Sequence, residues 1–315
     1  MTFDLIGMGE PMLEFSQLPK EPDGRRLYLE GHGGDTSNAT IAAARQGAKT
    51  AYITALGQDF AGESFMGLWQ REGVDVGGVV RKSTHLTGVY FIFHGSKGHE
   101  FLHYRQNSAA AAFSFRDLPK EMLVHTRAFF TSGVSQGISN TAADAVFAAI
   151  DIVRGAGGKI AYDTNYRPKL WPPARAAAVM HAAIAKSDIV FPGLEDAEAM
   201  LGVTDPDHIL DHYLRLGPQI VVLKMGDRGA YLATPECRVR IPVYPVKAVD
   251  ASGAGDTLCG SFLARLLAGD DPEAAARYAN VAAALKCTGY GTVTPIPRAA
   301  DVVSAMAGRV GADAS

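Results

Sequence analysis

The sequence predicts an α/β fold built on a largely parallel sheet covered on both faces. Three observations predict it. Short apolar runs alternate with Ala-rich helical runs, and strands separated by helices of about 10–15 residues imply βαβ crossovers. Hydrophobic residues make up 47% of the 315 and charged residues 20%, which is ample for a large core and rules out a disordered chain. Two stretches, 11–33 and 84–107, break the rhythm with alternating patterns, turn residues and no helix. They predict two strand pairs of a smaller, second sheet.

The elements follow in order. Residues 3–8 predict the first strand, and 36–46 (TSNATIAAARQ) a helix that Gly47 can close in the left-handed conformation. A strand at 50–56 precedes a helix at 63–72 ended by Gly73. The pattern resumes with a strand at 127–131, a helix at 142–154, a strand at 159–163 and a helix at 174–186. Strands at 188–191 and 220–224 follow, and beyond Ala254 the chain reads as helices at 254–268, 272–287 and 298–308. In the second insertion, residues 88–93 and 100–105 flank Gly95-Ser96-Lys97-Gly98, a hairpin signal. A small sheet projecting from an α/β core would form a lid over the carboxyl ends of the main strands; two ordinary surface hairpins are the other reading. No repeat or linker divides the chain, so residues 1–315 are expected to form one domain whose lid comes from insertions 11–33 and 84–107.

Composition excludes several functions. The 30 Lys+Arg against 33 Asp+Glu give a net charge of −3, which argues against a nucleic-acid partner. No run reaches ~18 apolar residues, so no membrane span is expected. Asp4 stands where a secretory leader would carry cations, and Gly7 and Gly9 break the first apolar run. The three cysteines, Cys237, Cys259 and Cys287, are scattered and suit a reducing cytosol. A soluble cytoplasmic protein is expected. No G-x-x-x-x-G-K-[ST] loop occurs, and Gly7-Met8-Gly9 leaves Met12 where a dinucleotide fingerprint needs its third glycine. His94, His99 and His103 cluster without another organised ligand, so no metal is expected there.

Four motifs carry chemistry. The sharpest is Asp250-Ala-Ser-Gly253-Ala254-Gly255-Asp256-Thr257, which opens the helix at 254–268. Unpaired amides and the macrodipole at a helix start make an anion site. Asp256 would repel a phosphate as a ligand, but it suits a base taking the proton of an attacking alcohol; an N-capping aspartate is the other reading. Gly33-Gly34-Asp35-Thr36-Ser37-Asn38 opens a second helix and offers short polar groups to a polyol, or simple capping. Residues 162–171 (YDTNYRPKLW) follow a strand, and Arg167 there could hold a carboxylate or phosphate, or pair with a surface acid. Lys224-Met225-Gly226-Asp227-Arg228-Gly229 could line a nucleotide pocket or turn a simple hairpin into 230–234.

Together these residues resemble the ribokinase-like (PfkB) carbohydrate kinase family. Asp250 to Thr257 resembles its C-terminal signature, and Gly33 to Asn38 its N-terminal one. The resemblance implies a Rossmann-like three-layer α/β/α core with a mostly parallel sheet and a β-sheet lid. It implies ATP, Mg²⁺ and phosphoryl transfer to a sugar hydroxyl, with Asp256 as general base and Gly253, Ala254 and Gly255 as the anion hole. A monovalent cation such as K⁺ is left open as an activator. A narrower resemblance is to the 2-keto-3-deoxygluconate kinases, through Gly34, Asp35, Asn38, Tyr90, the run from His103 to Ala110, and Asn165 to Trp171. It implies that Tyr90, Tyr104, Arg105 and Arg167 hold the substrate, and that Asn165 and the run Lys224, Gly226, Asp227, Gly229 face ATP with Gly253 and Gly255. Where ribokinases carry Asn-x-x-Glu, this chain has Gly193-Leu194-Glu195-Asp196, leaving Glu195 or Asp196 to support Mg²⁺. Fructokinase and ribokinase are the alternatives within the family; a non-catalytic nucleotide or sugar binder is the alternative outside it. Lid pairing in the family, with Tyr90, Phe91, Phe93, Phe101 and Tyr104 on the second insertion, implies a homodimer or higher oligomer.

Overall fold

The computed structural model describes residues 3–18, 24–95 and 98–312. Its strands are β1 (Phe3–Met8), β2 (Met12–Gln17), β3 (Tyr28–Gly33), β4 (Thr50–Gly57), β5 (Asp75–Lys82), β6 (Gly88–Gly95), β7 (Gly98–Tyr104), β8 (Thr126–Ser132), β9 (Lys159–Asp163), β10 (Ile189–Phe191), β11 (Ile220–Lys224), β12 (Ala230–Ala233) and β13 (Arg238–Ile241). Nine form one sheet in the order β13-β12-β11-β10-β9-β8-β1-β4-β5. It is parallel from β5 to β11, and β12 and β13 turn back antiparallel at the edge. The chain winds from β1 out to β5, then returns to the other flank of β1 at β8. That reversal opens a crevice beyond the carboxyl ends of β1 and β8, where sheets of this kind bind ligands.

Burial on both faces explains why the central strands read as apolar runs. Ile6, Phe129 and Ile160 enter one apolar layer; their neighbours Leu5, Phe130 and Ala161 enter the other. Each large side chain so buried contributes roughly 1.5–3 kcal/mol. The helices follow the expected pattern with shifted ends. The second starts early, at Phe60, because the Asp59 carboxylate accepts the Gly62 amide at 2.7 Å. Ser139 caps Asn140–Gly155 in the same way.

One close approach builds the site. Helices Asp35–Arg45 and Ala254–Ala268 cross where a Cβ on Gly260 would run into the Ala39 carbonyl. Only glycine fits there, one turn beyond Asp256 and beside Asn38.

The second sheet has the order β3-β2-β6-β7, with β2 and β6 parallel and the other pairs antiparallel. Residues 19–23 of the first insertion and 96–97 in the turn of the second lie outside the described residues. The register puts Met12, Glu14, Tyr90 and His103 on one face and Leu13, Phe15, Phe91 and Tyr104 on the other. Leu13 and Val89 anchor the sheet to the core against Phe65 and Trp69. Among the described residues, no helix is long and apolar enough to cross a membrane.

Candidate active site

Gly253 takes φ +76° and starts the helix Ala254–Ala268. The Ala254 amide is consumed by the Ala251 carbonyl at 3.1 Å. Among the described residues the Gly253, Gly255 and Asp256 amides have no backbone acceptor, whereas Ala254, expected in the same anion hole, is paired within its own turn. Asp256 lies in the same first turn, and its Oδ2 accepts a hydrogen bond from Asn38 Nδ2 at 2.8 Å. Burial, and then the nearby Asp35 charge, push its carboxyl up to about 7, against the Asn38 bond and Lys224. Asn38 Oδ1 is buried with no partner among the described residues, an open acceptor beside that carboxylate.

Strand ends supply the rest of the floor. Asp163 closes β9 and Lys224 closes β11; Lys224 Nζ donates to both Asp163 oxygens at 2.6 and 2.7 Å. Burial disfavours that ammonium, but the Asp163 charge outweighs it and holds the lysine protonated. A Cβ on Gly255 would stand 3.6 Å from Lys224 Nζ. The lysine therefore sits against the helix start, tied to Asp163. Asn165, held at φ +34°, donates Nδ2 to Asp35 Oδ2 at 2.7 Å and links the two polar loops. Gly34 precedes Asp35 with φ +119°, seated against the Glu10–Pro11 backbone. Gly226 and Asp227 form the exposed tip of the β11–β12 turn, and Gly229 returns buried. The simple-hairpin reading of this run thus holds together with the placement of Lys224 in the cleft.

The second sheet contributes from above. Arg105 pairs with Glu10, which is 1% exposed and also accepts the Ser108 hydroxyl at 2.8 Å. Arg105 Nε is buried with no acceptor. Tyr90 donates to Glu14, whose carboxyl burial pushes up, and its ring stacks on His103 with centroids 5.6 Å apart. Burial and then the cations Arg105, Lys169 and Arg167 push His103 down to about 4. Arg167 is exposed and meets no acid among the described residues; its Nη1 donates to the Tyr166 carbonyl. Tyr104 departs from expectation. Strand alternation turns it to the opposite face, against Phe91, 62% exposed. Asp196 accepts the Thr164 hydroxyl at 2.6 Å on the cleft side, whereas Glu195 is exposed to solvent one position earlier in the helix Leu194–Leu201.

A profile of the pfkB family carbohydrate kinases matches residues 20–299. The chain belongs to that family. The kinase is 30% identical to the 2-dehydro-3-deoxygluconokinase of Thermoproteus tenax over 305 residues, 94% of this chain and 93% of the relative. It is 28% identical to fructokinase-1 of Oryza sativa subsp. japonica over 320 residues, 96% of this chain and 97% of the relative. The fold matches the crystal structure of a ribokinase II in complex with ATP and Mg²⁺ from Escherichia coli, with TM-score 0.90 and 24% identity over 98% of this chain and 99% of that one.

Sequence reasoning passed over four residues in this kinase's cleft: Glu10, Glu14, Asp163 and Lys169. Asp163 and Lys169 lay inside the run 162–171 but had no partner in the sequence to point to. Glu10 had one signal, a carboxylate placed directly after the first strand at a carboxyl end.

Proposed function

We propose that this kinase moves the γ-phosphoryl group of ATP to the primary hydroxyl of 2-keto-3-deoxygluconate (2-dehydro-3-deoxygluconate). The observation that carries the reading is Asp256, a carboxylate tuned to about 7 beside three unpaired amides. Asp256 takes the hydroxyl proton as the oxygen bonds to phosphorus. The bond from the γ-phosphorus to the bridging oxygen breaks, and ADP leaves with the electron pair. The Gly253, Gly255 and Asp256 amides hold charge gathering on the transferring group. Asn165, Lys224, Gly226, Asp227 and Gly229 border the ATP side; Gly34, Asp35, Asn38, Tyr90, Arg105 and Arg167 border the sugar. The second sheet acts as the lid, excluding water that would otherwise accept the phosphoryl group.

The donor set fits Mg²⁺ carried by the nucleotide. Among the described residues no three His, Cys, Asp or Glu side chains gather as a cage, and Mg²⁺ commonly keeps its waters and takes only one or two carboxylates plus phosphates. Asp196, which accepts the Thr164 hydroxyl, would support it; Mg²⁺ would neutralise phosphate charge when bound. Two copies would pair through the lid, a reading that the exposed Phe101, Leu102 and Tyr104 on the edge strand β7 support. Cytoplasmic location belongs to the same reading, because ATP is the donor.

The acid-sugar assignment draws on Arg105, Lys169 and Arg167, whose charges all act on His103, a positive field suited to a carboxylate. A coupled assay of ADP release over a panel of sugars tests it. Arg167→Ala should raise KM for 2-keto-3-deoxygluconate by roughly 10-fold or more, the worth of a charge-assisted bond, and leave KM for fructose nearly unchanged. Equal effects on both sugars contradict the reading. A neutral-sugar, fructokinase-type activity is the second reading, favoured by Glu10, which already compensates the Arg105 charge.

The base must be ionised to work. The rate kcat/KM should therefore fall as pH drops through about 7 and level off above it. A profile flat across that value contradicts Asp256 as the base.

A further inference from the structure

Lys286 ends the helix Pro272–Lys286 and is 0% exposed. Its Nζ donates to the main-chain carbonyl of Asp250 at 2.8 Å. Burial pulls its ammonium toward the neutral amine; Asp250, Cys287, Asp256 and Glu14 face it and oppose that. A buried lysine is expensive, and an apolar chain of the same length would fill the space without desolvating a charge. The loop it grips leads straight to the anion-facing amides. Val249 and Asp250 donate their amides to the Cys287 carbonyl at 2.7 and 3.1 Å. The Asp250 carboxylate accepts the amides of Ser252 and Gly291, each at 2.9 Å. Gly253 then turns left-handed against Thr292. Among the described residues, the ammonium is the one cation bonded into this clasp.

We propose that Lys286 is a positioning residue, whose ammonium fixes the Asp250 carbonyl and so aims the Gly253, Gly255 and Asp256 amides at the transferring phosphoryl group. This rests on the reading of Asp256 and those amides given above. It also places a fixed positive charge inside the chain where the sequence left a soluble monovalent cation open. A fixed ammonium on the Asp250 carbonyl would leave a soluble monovalent cation such as K⁺ unnecessary for holding that carbonyl.

The test starts with wild-type enzyme, ATP, Mg²⁺ and 2-keto-3-deoxygluconate in K⁺, Na⁺ and choline salts at equal ionic strength. Rates should agree within about two-fold, and a loss of about ten-fold in choline overturns the internal-cation role. Lys286→Met should lose at least about ten-fold in kcat, the scale of a misaimed oxyanion donor, with KM for the sugar changed less than about three-fold. Unchanged kcat in the folded variant overturns the proposal. Lys286→Ala should recover activity with ammonium or methylammonium chloride and not with tetramethylammonium; equal response to all three overturns it too. Should Lys286→Met not fold, Lys286→Gln, which removes the charge and shortens the reach to the carbonyl, should also lose at least about ten-fold in kcat with KM nearly unchanged, and unchanged kcat there overturns the role of the ammonium. If no sugar is phosphorylated, the proposed function fails separately. Calorimetry with the ATP analogue AMP-PNP then decides: Lys286→Met should weaken it at least about five-fold, and equal affinity refutes the role of Lys286.

Discussion

Replacing Asp256 with asparagine should lower kcat by roughly 10²- to 10⁴-fold, the range for losing a positioned general base, while the fold persists. The two side chains are the same size. Asparagine can still accept the Asn38 Nδ2 hydrogen bond now made at 2.8 Å. Stability should move the other way. The Asp256 carboxyl is pushed up to about 7 in the folded protein from an ordinary value of 3.8. The folded state therefore holds a proton that the unfolded chain releases between those two values. Stability linked to this group is fully present below about 4 and is lost as pH rises through about 7. The asparagine variant escapes that loss, so its melting temperature at pH 8 should equal or exceed the wild type's, and its excess should shrink toward acid pH. Such a trade is expected where a site holds a charge for chemistry rather than for stability. Near-normal turnover in a folded Asp256→Asn protein defeats the catalytic assignment. A collapse of stability at every pH shows the carboxylate to be scaffolding.

What could be read in the chain and what could not divide along physical lines. The helix start at Gly253 was legible because glycine, a left-handed cap and an amphipathic run are all local. The central strands were legible because burial on both faces leaves an unbroken apolar run. Strand β5 was missed: DVGGVVRK is an edge strand with two glycines and exposed charges, paired only with β4. The helix Pro206–Arg215 was missed although its signal is local, Asp205 capping and Pro206 at the first turn. The site itself depends on contacts no local pattern carries. Asn38 meets Asp256 across 218 residues, and Arg105 meets Glu10 across 95. The face of Tyr104 depended on strand register, and a shift of one residue reverses every side chain.

Lys224→Met should destabilise the protein by about 3–5 kcal/mol, the usual result of stripping a buried ion pair of one partner. Asp163 is 1% exposed at its side chain and has Lys224 on both oxygens. The contacts it keeps are weaker, the Asn165 amide on Oδ1 at 3.2 Å and the Cys259 thiol on Oδ2 at 3.6 Å. Burial already pushes the Asp163 carboxyl up against the pull of Lys224, and losing the ammonium beside Asp196 and Asp35 pushes it further. By linkage, the variant's stability should then fall as pH climbs through that raised value and recover in acid, opposite to a surface pair. The double variant Lys224→Met with Asp163→Asn removes both charges and should regain a large part of the loss, which a double-mutant cycle in urea reads directly. Activity responds through a second route. Lys224 is one of two groups holding the Asp256 carboxyl down, so its removal should move the acid limb of kcat/KM to higher pH. If that limb stays where it is while stability drops, Lys224 serves the scaffold alone. If neither changes, the pairing at β9 and β11 is not what orders this floor.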